Sequence, residues 1–206
     1  MTDTDRGRPG LRDRKKRRTR AALSEAALRL VAERGLDQVT VEEISEAVEV
    51  SARTFFNYFA SKDEALLGDP AAEAELLTRR ILAAPPDLSA FDAVRSAFDD
   101  VVAAIEADRE VWRLRLTVIA ANPSLLPRLV SGNAATERLL VAAVAQRLGL
   151  DPCHGHPMLV TTVAGAVFRT ALMRWAEEPA PAPLRELVAE AFTAVAAGLP
   201  DPRATR

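Results

Sequence analysis

Several residue types that restrict a fold are scarce in this chain of 206 residues. It has one cysteine, Cys153, which excludes an internal disulfide framework and fits a reducing compartment. Aromatic residues make up only 5% and glycines number nine, so residue propensities favour helix over sheet. No apolar run approaches the roughly 20 residues of a membrane helix, and no signal-peptide pattern begins the chain. We therefore expect a soluble, cytoplasmic, all-α protein.

The charge is distributed unevenly along the chain. Residues 1–62 carry a net charge of +3 and residues 63–206 carry −5. Residues 6–20 hold nine Lys or Arg side chains against Asp13 alone, a local charge of +8. Such a run attracts polyanions, because each neutralised phosphate releases condensed counterions. The plain alternative is a solvated, disordered tail.

Four helices are predicted before residue 83. Thr40 and Glu43 form a capping-box pattern at the start of the second helix, and Ser51 is a good N-cap for the third. A second capping box at Ser61 and Glu64 opens a long helix that we expect to join two domains. The expected ranges are about 13–34, 41–48, 51–58 and 61–82.

Prolines and glycines divide the rest of the chain into further helices, which predict a C-terminal bundle. We expect these helices at about 88–107, 109–121, 123–149, 158–178 and 184–197. The predicted organisation is a basic arm (1–12), a three-helix helix-turn-helix domain (13–62), a ligand-binding and dimerisation domain (63–200) and a tail (201–206).

The second and third helices are spaced as a helix-turn-helix, whose second helix enters the DNA major groove. With Phe55 and Phe59 turned inward, the outward face of this helix holds Ala52, Arg53, Thr54, Asn57 and Tyr58. Arg53 lies in the first turn, where the helix dipole disfavours a cation, so an anionic partner is expected there. Arginine pairs with guanine or phosphate, and Asn57 is within reach of adenine or phosphate. Thr40 and Lys62 would flank this surface with contacts to the DNA backbone.

The segment from Arg20 to Leu67, RAALSEAALRLVAERGLDQVTVEEISEAVEVSARTFFNYFASKDEALL, resembles the DNA-binding domain of TetR-type bacterial regulators. The resemblance implies a homodimer that binds a pseudo-palindromic operator, usually near its own promoter, and releases it when a small molecule enters the C-terminal domain. It also implies DNA contacts at Thr40, Ser51, Arg53, Thr54, Asn57, Tyr58 and Lys62.

Two departures from the family pattern stand out. Glu49 occupies a turn position where the family usually has glycine, so a left-handed conformation there would cost roughly 1 to 2 kcal/mol. Asn57 and Tyr58 replace a commoner Tyr-His pair.

A second resemblance concerns the segments VSARTFFNYF, RLRLTVIAANPSLLPRL and FRTALMRW. They are similar to an actinobacterial subgroup that includes mycofactocin-system regulators. This similarity implies a C-terminal domain suited to an acyl-coenzyme A-like effector.

Candidate ligand contacts lie between residues 88 and 178, where bulky apolar residues are accompanied by arginines. We select Phe98, Trp112, Arg115, Leu116 and Phe168. The alternative is that the apolar side chains form ordinary core and the arginines lie on solvated faces. Apolar faces on the last two helices, around Leu159 to Val167 and Leu184 to Val195, either form a dimeric four-helix bundle or cover the chain's own core.

Chemistry-bearing motifs are few. The sequence Cys153-His154-Gly155-His156 contains metal-ligand types but lacks a clear fourth ligand, so an ordinary polar loop is expected. No nucleophile motif or glycine-rich phosphate loop occurs, so we expect neither catalysis nor a cofactor. Two alternatives to a ligand-gated regulator remain open: a small helical enzyme or lipid carrier with a basic recruitment arm, and an architectural DNA-binding protein without a ligand.

Overall fold

A computed structural model describes residues 11–177 and 182–200. Residues 1–10 of the predicted arm and the tail 201–206 lie outside the described residues. Within the described ranges all regular secondary structure is helical. None of these helices combines the length and apolarity that crossing a bilayer would require.

Eleven α-helices follow one another in the described ranges. They are α1 (Leu11–Arg34), α2 (Val41–Glu46), α3 (Ala52–Phe56), α4 (Lys62–Leu67), α5 (Pro70–Ala83), α6 (Ala90–Ala97), α7 (Asp99–Ala107), α8 (Arg109–Ala121), α9 (Leu126–Leu148), α10 (Gly155–Ala176) and α11 (Leu184–Ala196). Short 3₁₀ turns cover Leu36–Gln38 and Pro123–Leu125.

The chain divides into two compact units. The first contains the chain up to Gly68 together with Glu110–Leu126, and the second contains Asp69–Arg109 and the chain from Pro127 onward. This division differs from the predicted boundary, which placed α8 in the C-terminal domain. The physical reason lies in the core, because Val118 and Leu125 are buried in the same apolar cluster as Leu23 and Phe55.

The first unit forms around the apolar face of α1. Leu23, Ala27 and Val31 are buried at helical spacing, as the sequence predicts. The predicted cap of α2 is confirmed: the Thr40 hydroxyl accepts from the Glu43 amide, and the Glu43 carboxylate accepts from the Thr40 amide. These caps satisfy amides that have no partner within the helix.

The long helix predicted over 61–82 is wrong in one respect, because it is interrupted. The helix α4 ends at Gly68, whose φ of 95° favours glycine over other residues. The Asp69 side chain then accepts from the Ala72 amide, and Pro70 occupies the first turn of α5. Asp as N-cap and Pro at the first helical position are strong start signals, so the chain begins a new helix here.

The second unit is built on the packing of α10 against α11 and of α5 against α6. Its core includes Phe98 and Phe192, and the ring of Phe98 stacks on Phe168 at 4.5 Å. One apolar face of α11 is buried inside this unit, including Leu184, Leu187, Val188 and Phe192. That face therefore covers the chain's own core, which is one of the two alternatives that the sequence left open.

Candidate nucleic-acid interface

The turn between α2 and α3 fixes the orientation of these two helices relative to each other. Val48 and Val50 are half-buried against the apolar core on either side of Glu49. Glu49 has a φ of 56°, so the turn keeps the left-handed conformation even though glycine is absent from it. The chain thus keeps the turn geometry without the glycine that would relieve its strain.

Replacing Glu49 with glycine is expected to stabilise the first unit by about 1 kcal/mol. The change removes a left-handed strain of roughly 1 to 2 kcal/mol, less the entropy that glycine adds to the unfolded chain. Urea denaturation followed by circular dichroism would measure the gain. The matched control is Glu46→Gly within α2, where we expect a loss of about 0.5 to 1 kcal/mol. Equal effects at the two positions would contradict the strain argument.

In residues 51–58, here called the recognition segment, Arg53, Phe56 and Asn57 are exposed, as is the N-cap residue Ser51. Arg53 and Asn57 are exposed, and neither forms an ion pair or side-chain hydrogen bond with a described residue. Phe56 is 56% exposed, although its neighbour Phe55 is fully buried. Phe56 was not among the predicted contacts, although it is an aromatic residue outside the inward spacing of Phe55 and Phe59, which is the signal that marks it.

The helix dipole contributes less to the Arg53 argument than the sequence suggested. Since α3 is only five residues long, Arg53 belongs to its last turn as well as its first. The opposing ends of so short a helix largely cancel at this position. The exposure of Arg53 and its lack of a described carboxylate partner are the stronger reasons to expect an anionic partner.

The other predicted contacts in and around the helix-turn-helix have partners or packing within the protein. The Ser51 hydroxyl caps the helix by accepting from the Thr54 amide and also bonds to the Thr54 hydroxyl at 2.9 Å. Tyr58 is half-buried against the core. Thr40 is exposed, but its hydroxyl donates a hydrogen bond to the Glu43 carboxylate. Hydrogen bonds from the Thr40 backbone and hydroxyl, assisted by the Arg34 guanidinium, hold the pKa of Glu43 below its ordinary value.

Lys62 is half-buried and tied to the loop that precedes α2. Its ammonium donates to the Leu36 carbonyl at 2.5 Å and to the Val39 carbonyl at 2.8 Å. The side chain therefore fixes the start of α4 against the loop between α1 and α2. An ammonium has three donors, so one remains for the DNA contact that the sequence predicts.

The basic run near the N-terminus is divided between two roles. The five residues from Arg14 to Arg18 are exposed on the first turns of α1. Arg20, the last cation of the run, is instead half-buried against residues of the core. Its guanidinium donates to the Tyr58 carbonyl and lies 4.3 Å from the centre of the Phe59 ring.

The five predicted ligand contacts do not gather in one unit. Phe98 and Phe168 stack on each other in the second unit, whereas α8 carries the other three in the first. The Arg115 guanidinium lies 4.7 Å from the ring of Trp112 and donates to the Ser24 hydroxyl at 2.9 Å. Leu116 is half-buried. Thr78 of α5, which was not predicted, has a buried hydroxyl with no hydrogen-bond partner among the described residues.

The cysteine and histidine loop precedes α10. Cys153 is exposed, and the His154 ring accepts from the His156 amide as the cap of α10. In the described part of the chain, no group of three or more Cys, His, Asp or Glu side chains is arranged to hold a metal ion.

Both parts of the chain match known protein families. Residues 23–67 match the family described as bacterial regulatory proteins, tetR family, and residues 88–200 match the MftR C-terminal domain. The transcriptional regulator TcmR of Streptomyces glaucescens is 33% identical over 174 residues, which cover 81% of this chain and 77% of that protein.

Solved structures with the same fold include two ligand complexes. One is FadR of Thermus thermophilus, a TetR-family repressor bound to lauroyl-CoA, with 20% identity and a TM-score of 0.51 over 91% of this chain and 98% of that chain. The other is the complex of SmeT with triclosan, with 17% identity and a TM-score of 0.59 over 91% of this chain and 100% of that chain. SmeT is the repressor of a multidrug efflux pump of Stenotrophomonas maltophilia.

These matches bear on one of the alternatives that the sequence left open, a small helical enzyme or lipid carrier. The two family matches and TcmR are transcriptional regulators, so the enzyme reading is set aside. The helix-turn-helix with its exposed α3, the TetR match over the first unit and the C-terminal match over more than half of the chain agree with one another. The chain belongs to the TetR family of DNA-binding transcriptional regulators and carries a C-terminal domain of the MftR type.

Proposed function

We propose that the chain is a repressor that binds a pseudo-palindromic operator as a homodimer and leaves it when a small hydrophobic or acyl-CoA-like effector binds. The observation that carries the DNA-binding part is the surface of α3, where Arg53 and Asn57 are exposed without described partners. Arginine and asparagine are the side chains best suited to guanine and adenine edges in the major groove. Phe56 adds an exposed apolar group that suits the methyl group of thymine.

The remaining predicted contacts would position the protein on the DNA backbone. Thr40, Ser51 and Thr54 present hydroxyl groups, and Lys62 retains one ammonium donor. Tyr58, at the end of the recognition segment, is half-buried. Such contacts set the register of α3 on the duplex and carry little sequence information themselves.

The direct test is selection of bound fragments from a random duplex library at near-physiological salt. The proposal expects a two-fold symmetric consensus whose half-site centres lie about 34 to 36 Å apart, or a multiple of one helical turn. Recovery of unrelated sequences would instead support an architectural DNA-binding protein.

Replacing Arg53 with alanine is expected to weaken binding by about 5- to 150-fold for each half-site of the selected duplex, which corresponds to 1 to 3 kcal/mol per contact. If Arg53 reads a base, Arg53→Lys loses most of this affinity too, because lysine lacks the bidentate geometry. Fluorescence anisotropy on duplexes with single base changes would locate the affected position. The control Arg29→Ala removes an exposed cation of α1 that pairs with Glu25, and it should leave the affinity within about twofold.

An exposed apolar stripe on α10 supports the homodimer. Leu159, Val163, Ala166 and Met173 recur at helical spacing, and both Leu159 and Met173 are 61% exposed. A stripe of this kind, with small residues that permit close approach, suits pairing across a two-fold axis. Sedimentation equilibrium of the full chain should give a dimer, and a monomer at micromolar concentration would contradict this part.

The effector class is supported by the C-terminal family match and by the ligand that FadR carries in its complex. Phe98 and Phe168 remain the apolar candidates in the second unit, and the Thr78 hydroxyl is a polar candidate. Lauroyl-CoA should release the labelled duplex, whereas coenzyme A alone should not. Release by triclosan but not by lauroyl-CoA would indicate an apolar effector without a coenzyme A group.

A further inference from the structure

The first turns of α1 carry a dense cluster of unneutralised positive charge. Arg14, Lys15, Lys16, Arg17 and Arg18 are consecutive and exposed, and no described carboxylate pairs with them. Arg14 and Arg18 lie one helical turn apart, where like charges repel. They also lie near the positive end of the dipole of a 24-residue helix. An anion at this place would relieve both unfavourable interactions.

The structure divides these five cations between two faces. Arg14, Lys15 and Arg18 line an open groove of about 550 Å³, here called the α1 groove. Its remaining lining consists of Thr19 and Ala22 on α1 and of Val48 and Val50 in the turn before α3. At 3.6 residues per turn, Lys16 and Arg17 fall on the opposite half of the helix, and neither lines the groove.

The form of the α1 groove indicates the shape of its occupant. It has cations along one wall and half-buried valines on the other, and it is open to solvent. An open groove with cations along one wall suits an extended polyanion better than a small molecule, which favours an enclosed apolar site. Val50 directly precedes Ser51, the N-cap of α3, so the groove continues the surface of the recognition segment.

We propose that the α1 groove holds the phosphate backbone of the duplex beside the half-site read by α3, with Arg14, Lys15 and Arg18 as the phosphate ligands. This inference rests on the proposed function and adds a second, sequence-independent contact to it. The contact fixes the register of the protein and raises its affinity without changing which bases are read.

The test compares two variants that lose the same charge from the same helix. Arg14→Gln with Arg18→Gln removes two cations from the groove, and Lys16→Gln with Arg17→Gln removes two from the opposite face. Glutamine keeps the helix propensity, and circular dichroism would check that the helix content is unchanged. For each variant, the binding constant for the selected duplex is measured against salt concentration.

The groove variant is expected to reduce the slope of log K against log salt concentration by about 3.6, because the dimer loses two contacts on each half-site and each phosphate contact contributes about 0.9. The opposite-face variant should change the slope by less than half of that amount. Library selection with the groove variant should recover the wild-type consensus. Equal slope changes in the two variants, or an altered consensus, would overturn the inference.

Failure of the proposed function would look different. If the wild-type chain selects no consensus, the operator proposal fails, and the salt series is then run on a duplex of arbitrary sequence. The inference that the α1 groove binds phosphates is overturned in that experiment by the same result, equal slope changes in the two variants.

Discussion

Replacing Phe55 with alanine is expected to destabilise the first unit by about 3 to 5 kcal/mol. Phe55 is fully buried and contacts two other rings, with centroid distances of 5.6 Å to Phe56 and 5.4 Å to Phe59. Its truncation leaves a cavity and also removes aromatic contacts worth roughly 0.5 to 1.5 kcal/mol each. A loss of this size is a large fraction of the stability of an ordinary domain.

The neighbouring residue provides the control for this prediction. Phe56→Ala removes a ring that is 56% exposed, so the stability should change by less than about 1 kcal/mol. If Phe56 contacts DNA, its truncation should weaken operator binding while leaving the fold intact. Urea denaturation and fluorescence anisotropy would be measured on both variants. A comparable loss of stability at the two positions would contradict the orientation of α3 described above.

Replacing Arg115 with alanine is expected to destabilise the first unit by about 2 to 4 kcal/mol. The guanidinium donates to the Ser24 hydroxyl, which in turn donates to the Ala65 carbonyl at 2.6 Å. It also lies against the ring of Trp112. A hydrogen bond to a charged group contributes roughly 1.5 to 3 kcal/mol, and a partly desolvated cation–π contact adds about 0.5 to 2. Arg115 thus joins α8 to α1 and α4.

This prediction separates two roles for Arg115. A residue that only binds an effector anion would leave the stability of the ligand-free protein unchanged. A double-mutant cycle with Ser24→Ala measures the shared hydrogen bond, and we expect a coupling energy of about 1 to 2 kcal/mol. Additive effects of the two changes would show that the hydrogen bond contributes nothing to stability. Arg115 would then return to the set of ligand candidates.

Local signals allowed most of the first unit to be predicted. The caps at Thr40 and Ser51 depend on side chains bonding to amides three residues ahead, so the sequence contains the whole interaction. The buried positions of Leu23, Phe55 and Phe59 follow from helical spacing alone. The sequence marked Glu49 as a departure from the glycine of the family pattern, and the conformation of the turn is decided by its φ of 56°.

Contacts between distant parts of the chain could not be predicted in this way. Lys62 satisfies carbonyls more than 20 residues earlier, and Arg115 bonds to Ser24 across 91 residues. Polar side chains at such positions look like surface groups or ligand contacts until a fold brings their partners near. The buried face of α11 posed the same difficulty, since an apolar helix face does not reveal whether it packs within one chain or between two.

The interruption of the predicted long helix had a different cause. The prediction rested on the capping pattern at Ser61 and Glu64, which marks where a helix starts but not where it ends, and it passed over the local signal at Gly68, Asp69 and Pro70. A glycine stop followed by an N-cap and a first-turn proline is as specific as the capping box at Thr40 and Glu43, whereas at the second predicted box the Glu64 carboxylate accepts from the Ala60 amide and not from Ser61.

The recognition module of this regulator is assembled from two separate stretches of chain. A truncation ending at Gly68 would expose the apolar surface that Val118 and Leu125 cover and would leave Ser24 without Arg115. Hybrid regulators made by fusing residues 1–68 to the ligand-binding domain of another protein would therefore contain an incomplete DNA-binding unit. Engineers who exchange sensors should carry α8 across with the first 68 residues, or choose a donor whose equivalent helix supplies the same contacts.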